Sequence, residues 1–318
     1  MLKIKVMLDI KAYNELISDM ESYFILKNDK TINKNKFMNI LFKNYYENYE
    51  EKRIKINNKI FAFFEKNGIN NPEIMAKELS YRLMNEYDSK ELYFDKGITF
   101  NLTDEEEFIF KSIDNLKYES ASLYFRNLIY SYLSLKSYER ENIIYKDILK
   151  RFNKAIENKR ILKIKIDNDE LNILPFKALN NLDDKYTYLL ALKADRTPFS
   201  INISKIINII ETKDYYKLTN DEIDHLNLII NKNIEYPNLT NEIVKIRLTD
   251  LGIKLYEKNY YNRPEYIKRS GNYFYFNNSL NQLFDYFMPF GKKCKIIENN
   301  KLKKMFINET KHINKKNI

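Results

Sequence analysis

Tryptophan is absent from this chain of 318 residues, and glycine (5), proline (6), histidine (2) and cysteine (1) are scarce. Each shortage excludes something. A single cysteine, Cys294, leaves no intramolecular disulfide framework and fits a reducing cytoplasm. His225 and His312 with that cysteine cannot build a zinc site of the usual ligand types, and no Ser-His-Asp or Cys-His arrangement has local support. So few glycines leave no Gly-rich phosphate loop. The expectation is a non-enzyme, with no catalytic residue, no metal site and no cofactor. No charged-then-apolar leader opens the sequence and no apolar run reaches membrane length, so a cytoplasmic protein without a membrane partner is expected. What is abundant is aromatic and basic: 26 Tyr, 20 Phe and a net charge of +10. The chain is long enough for two or more domains with real cores, and its charge favours an anionic partner such as nucleic acid.

Residues 148–212 organise the rest. A helical entry with Ile148, Phe152 and Ile156 on one face leads to apolar runs at 162–166, 171–174, 186–192, 199–203 and 206–210. Five short strands with polar turns predict a small β-barrel. Three segments stand out: Ile173-Leu174-Pro175-Phe176-Lys177-Ala178-Leu179, Tyr188-Leu189-Leu190-Ala191-Leu192, and Phe199-Ser200-Ile201-Asn202-Ile203-Ser204-Lys205-Ile206. Their order resembles a WYL domain, the Sm-like ligand-sensing barrel of many bacterial regulators. Thr187 stands where that family usually has tryptophan, and Asn202 and Lys205 where it usually has two arginines. The resemblance implies a nucleotide-like ligand near Tyr188, Ser200, Asn202, Ser204 and Lys205. Alternation turns Ser200, Asn202 and Ser204 outward if Phe199, Ile201 and Ile203 face the core.

Residues 2–8 alternate as a half-buried strand, with Leu2, Ile4, Val6 and Leu8 on one face and Lys3, Lys5 and Met7 on the other. Asp9 is a predicted N-cap for a helix to about Leu26, and a second helix carries Phe37, Ile40, Leu41, Tyr45 and Tyr49 on one side. One strand and two helices in residues 1–50 are similar to a ribbon-helix-helix domain. That resemblance implies a homodimer, whose paired first strands enter the DNA major groove and present Lys3, Lys5 and Met7 to the bases. The second helix would offer its start, at Asn33, Lys34 and Asn35, to a phosphate. The lone strand needs a partner for its backbone groups, which argues for the same dimer. Net charge over these residues is only +1, from 8 Lys against 7 acidic residues.

Residues 51–147 read as a helical connector, interrupted at 91–102, where Leu92, Phe94, Ile98 and Phe100 alternate around Gly97 and predict a short hairpin. Residues 213–240 read as a helical linker. Residues 241–318 give strand, helix, a hairpin at Ser270-Gly271-Asn272, helix, strand and a last helix. This βαββαβ order is ferredoxin-like and is similar to the extension that usually follows WYL domains. Residues 292–318 hold 9 Lys against 2 Glu. Lys292, Lys293, Lys295, Lys303 and Lys304 would attract a phosphate backbone, and Tyr273, Tyr275 and Phe276 are candidates for base stacking.

The expected fold class is thus α+β: ribbon-helix-helix (1–50), helical connector (51–147), Sm-like five-stranded barrel (148–212), linker (213–240) and ferredoxin-like domain (241–318). The expected function is a dimeric, nucleic-acid-binding transcriptional regulator, reading duplex DNA and sensing a ligand or nucleic acid through the barrel. A second expectation comes from the same resemblance, because accessories of type VI CRISPR systems combine these parts. They bind single-stranded RNA and stimulate an RNA-guided nuclease. The clean alternation at residues 2–8 tilts the sequence reading toward DNA.

Overall fold

Lys3, Lys5 and Met7 alternate with the buried Ile4, Val6 and Leu8 along the first strand, β1 (Lys3–Leu8), in the computed structural model of the chain. The structure describes all residues except 24, 26, 28, 85–93, 114–119, 182–185, 241 and 317–318. The protein is α+β, its described strands form three antiparallel sheets, and the chain divides into two units, Met1–Asp147 and Ile148–Ile318.

In the first unit β1 is followed by α1 (Ile10–Ser22), α2 (Lys34–Lys66), α3 (Pro72–Met84), β2 (Lys96–Asn101), α4 (Asp104–Ser112), α5 (Ala121–Leu133) and α6 (Ser137–Ile144). Asp9 caps α1 by accepting from Lys11 N at 2.8 Å and Ala12 N at 3.1 Å. The helix ends at Ser22, and Leu26 lies outside the described residues. The stretches around 37–49 and 54–64 are one continuous helix of 33 residues, bridged where the Arg53 guanidinium meets Glu50 at 2.6 Å and Tyr124 donates to Glu50 at 3.0 Å.

The ribbon-helix-helix reading is corrected here. β1 pairs with β2 of its own chain, Val6 opposite Ile98 and Ile4 opposite Phe100. Of the alternation expected as a hairpin over 91–102, Lys96–Asn101 is this partner strand, and Leu92 lies outside the described residues. Both outer edges of this pair are engaged. Lys5 O accepts from Ser122 Oγ (2.8 Å) and Met7 O from Arg126 Nε (2.9 Å) on the β1 side. Asn101 N donates to Asn35 Oδ1 (2.6 Å) and Asn101 O accepts from Asn39 Nδ2 (2.9 Å) on the β2 side. The backbone argument for a dimer through β1 is weakened, because one edge of the strand pairs with β2 and Lys5 O and Met7 O on its other edge accept from side chains. A single core runs from Ile4 to Ile144, so residues 1–50 have no core of their own. Phenylalanine and tyrosine fill it in place of tryptophan: Phe42 meets Phe125 at 5.1 Å, Phe110 at 6.1 Å and Tyr124 at 6.4 Å between ring centroids.

In the second unit, α7 (Lys146–Asn158) leads into β3 (Arg160–Ile166), β4 (Asp169–Asn181), β5 (Tyr186–Lys193), β6 (Pro198–Asn202) and β7 (Asn208–Tyr215), followed by α8 (Asn220–Lys232). The five strands lie in the order β6-β5-β4-β3-β7. The predicted barrel is not closed, since β6 and β7 are edges that do not pair. The chain turns away at the end of β6, where Asn202 Oδ1 accepts from Ser204 N (2.8 Å) and Ser204 Oγ (2.7 Å), and residues Ile203–Lys205 form a 3-10 turn. Pro175, with no N–H to give the ladder, sits where the β4–β5 register shifts. The stretch expected as a linker carries α8, whose Leu226 and Ile229 are fully buried against Leu174, Tyr188, Leu190 and Leu192. Each such side chain contributes about 1.5–3 kcal/mol by its burial, so α8 is part of the fold.

The remaining elements are β8 (Val244–Leu248), α9 (Asp250–Lys258), β9 (Lys268–Ser270), β10 (Tyr273–Phe276), α10 (Leu280–Phe287), β11 (Cys294–Ile296) and α11 (Asn300–Lys316). They make a four-stranded sheet in the order β11-β8-β10-β9. Its inner face buries Ile246, Phe274, Phe276 and Ile296 against Phe287 and Leu302. Gly252 lets α9 approach the turn before β11: a Cβ there would stand 2.5 Å from Lys293 O, which accepts from Thr249 N.

Candidate nucleic-acid interface

Period-2 geometry sends alternate residues of the four-stranded sheet to its outer face. Across the strands, Lys295, Arg247, Tyr273 and Ser270 stand in one row, and Lys245, Tyr275 and Lys268 in the next. Arg247, Lys268 and Lys295 are exposed, and Lys245, Tyr273 and Tyr275 are half-buried. The cations lie against the rings. Lys245 Nζ is 5.2 Å from the Tyr273 centroid and 5.5 Å from that of Tyr275, Lys268 Nζ is 5.7 Å from Tyr275, and the Arg247 guanidinium is 6.0 Å from Tyr273. One carboxylate, Glu298, pairs with Lys245 at 3.2 Å and holds its ammonium above the usual lysine range, so Lys245 stays charged. The result is two tyrosine rings on a central strand, bordered by Lys and Arg. Flat rings accept a base by stacking, and the flanking cations accept its phosphates.

The predicted site residues disperse around this face. Lys295 belongs to it. Lys293 is half-buried, and Lys303, also half-buried, donates to Ile297 O at 2.7 Å. Lys292 and Lys304 are exposed and stand on none of the sheet's strands. Phe276 does not join the tyrosines: it is fully buried on the inner face, as strand alternation requires. Sequence reading missed Lys245, Arg247 and Lys268. The alternation of β8 marks Lys245 and Arg247 as outward, but only the register shows them opposite Tyr275 and Tyr273.

Lys3 and Lys5 are exposed on β1, opposite Asn101 and Thr99, and Met7 faces Gly97. At the start of α2 the side chains are occupied. Asn33 Oδ1 accepts from Lys36 N (3.0 Å), Lys34 Nζ donates to Tyr13 Oη (3.1 Å), and Asn35 holds Asn101. They tie α2 to its neighbours within the unit. In the five-stranded sheet the expected outward face is also corrected. Tyr188 pairs with Asn202 and Leu190 with Ser200, so these residues share the face covered by α8. Tyr188, Asn202 and Ser204 are buried, Ser200 is half-buried, and Lys205 alone of the set is exposed, on the 3-10 turn.

No protein-family model matches the sequence, and no curated protein matches it. Among solved structures, one described as a CRISPR Cas-related protein aligns with 99% of this chain and 95% of its own, with a TM-score of 0.66 at 16% identity. The two share a fold. Proteasome accessory factor B/C (PafBC) of Arthrobacter aurescens aligns with 51% of this chain and 26% of its own, with a TM-score of 0.25 at 13% identity.

Proposed function

We propose that this protein binds single-stranded nucleic acid, RNA in the first place, on the outer face of its C-terminal sheet, and serves as an accessory to an RNA-guided CRISPR nuclease. The observation that carries the reading is the pair Tyr273 and Tyr275 set between Arg247, Lys295, Lys245 and Lys268. A four-stranded sheet whose central-strand aromatics stack two or three bases is a recurrent way to hold single-stranded RNA. The strand order, 4-1-3-2 counted along this domain, supports the ferredoxin-like reading of residues 241–318. The five antiparallel strands before it support a WYL-type, unclosed Sm-like sheet. The shared fold with a protein described as CRISPR Cas-related favours the accessory role over a promoter-binding one. A duplex-reading ribbon has lost its main support, because β1 finds its partner within the chain.

Binding should be electrostatic in its salt dependence. Arg247→Ala with Lys295→Ala is expected to flatten the slope of log affinity against log salt by about 1.4, roughly 0.7 for each phosphate of a single strand that is no longer neutralised. Lys3→Ala with Lys5→Ala should leave that slope unchanged. Anisotropy titrations of a labelled oligouridylate over a range of salt concentrations measure both. A ribbon variant that flattens the slope while the sheet variant does not would place the interface on β1 instead.

A further inference from the structure

Beyond the sheet face, the second unit contains a groove of about 260 Å³ where the end of β4, the end of α8 and the loop after α9 meet. We propose that this groove is a nucleotide subsite, taking one nucleotide beyond those stacked on the sheet. The inference extends the single-strand reading and rests on it for the identity of the strand. Among its lining residues Lys232 and Arg263 are cations and none is a carboxylate. Asn180, Asn233 and Asn262 add amide groups, and Tyr260 exposes 73% of its surface at the rim. An exposed ring beside two cations suits a base and its phosphate.

The loop that presents Tyr260 and Arg263 is fixed in place. Asn262 adopts a left-handed conformation (φ 49°), which asparagine tolerates better than most residues. Its Oδ1 accepts from Asn233 Nδ2 and its Nδ2 donates to Glu235 Oε2, both at 2.8 Å. Its carbonyl accepts from Gln282 Nε2 at 3.2 Å. Arg263 lies 4.9 Å from the Tyr260 centroid and donates through Nη1 to Glu257 O at 3.3 Å. The groove therefore has its shape before a ligand arrives, which lowers the ordering cost of binding.

Its position links it to the sheet. Lys232 Nζ donates to Asn277 Oδ1 at 2.8 Å, and Asn277 directly follows β10, two residues past Tyr275. Lys232 thus ties the groove to the end of β10 at which a strand stacked on Tyr273 and Tyr275 would leave the sheet. The same chemistry would accept a free mononucleotide.

The test uses the full chain, labelled oligouridylates of about three and about eight nucleotides, and AMP as a free mononucleotide. Tyr260→Ala and Lys232→Gln should each weaken the longer oligomer about 10-fold and leave the shorter one unchanged. Tyr273→Ala with Tyr275→Ala should weaken both. Groove variants that leave the longer oligomer unchanged, or weaken both lengths equally, overturn the subsite. If the sheet variant has no effect while the groove variants do, the sheet reading fails and the groove stands. Calorimetric binding of AMP that is lost in Tyr260→Ala assigns the groove to a free nucleotide. Absence of AMP binding, with the length effect intact, assigns it to the strand. Melting curves check folding, which an exposed tyrosine scarcely affects.

Discussion

Replacing Tyr273 and Tyr275 together by alanine is expected to weaken single-strand binding by about 2–6 kcal/mol, since each stacked base is worth about 1–3 kcal/mol by alanine substitution. That is a loss of roughly 30-fold at the least. Both rings stand on the outer face, while Phe274 and Phe276 between and beyond them supply the inner core and are untouched. Folding should therefore survive, with a melting curve close to that of the parent. Tyr273→Phe with Tyr275→Phe keeps the flat rings and should keep most of the affinity. A phenylalanine variant as weak as the alanine one would mean that the hydroxyls are read, and stacking is not the source of affinity. Unchanged binding in the alanine variant would remove the sheet face from the account.

The largest stability effect is expected from Arg140→Met, in the first unit. Arg140 meets Asp19 through Nε at 2.8 Å and Glu15 through Nη1 at 2.9 Å. Its Nη1 also donates to Leu133 O and Leu135 O, closing the end of α5. Asp19 is only 5% exposed. Burial pushes its carboxyl above the usual range and the guanidinium pulls it back, with burial the stronger of the two. Removing the cation leaves a buried charge uncompensated, at a cost of about 3–5 kcal/mol near neutral pH.

The deficit should depend on pH in a definite direction. Without Arg140 the folded-state pKa of Asp19 rises further above its unfolded value. Below that raised pKa the folded chain holds a proton that the unfolded chain releases until the pH reaches the ordinary aspartate range. Acidification through this window therefore favours the folded variant and shrinks its deficit. Tyr23 and Tyr132, also beside this cluster, have phenols that burial pushes upward, so they stay neutral throughout. Urea unfolding of both proteins at pH 7 and at about pH 4.5 measures this. A deficit that stays constant or grows on acidification would show that Arg140 acts through packing and the α5 carbonyls rather than through Asp19.

Local patterns carried much of the fold. The alternation at residues 2–8, the Asp9 cap and the turn at Gly271-Asn272 sit where sequence rules place them. What was not legible was pairing between distant segments. β1 and β2 are about ninety residues apart, and nothing in either announces the other. The isolated strand therefore suggested a second chain. The boundary expected between residues 50 and 51 falls inside α2, where Glu50 pairs with Arg53 and accepts from Tyr124. In the candidate site the two tyrosines were visible as stacking candidates on a hairpin strand, but together with Phe276, which is buried on the inner face. The cations beside them come from β8, β9 and β11, and the sheet order alone brings them together. Ser200 and Asn202 were expected to face outward, but the face they share with Tyr188 is covered by α8. Alternation says which residues share a face and leaves open whether that face meets water.

The central claim is that the unmodified protein prefers a single strand. The direct measurement is a competition at physiological salt, with a labelled oligouridylate displaced by unlabelled single-stranded RNA or by duplex DNA of equal length. Displacement by the single strand at concentrations at least about 10-fold lower than the duplex is the expected result, because stacking on Tyr273 and Tyr275 needs bases freed from a helix. Equal or stronger displacement by duplex DNA would contradict it.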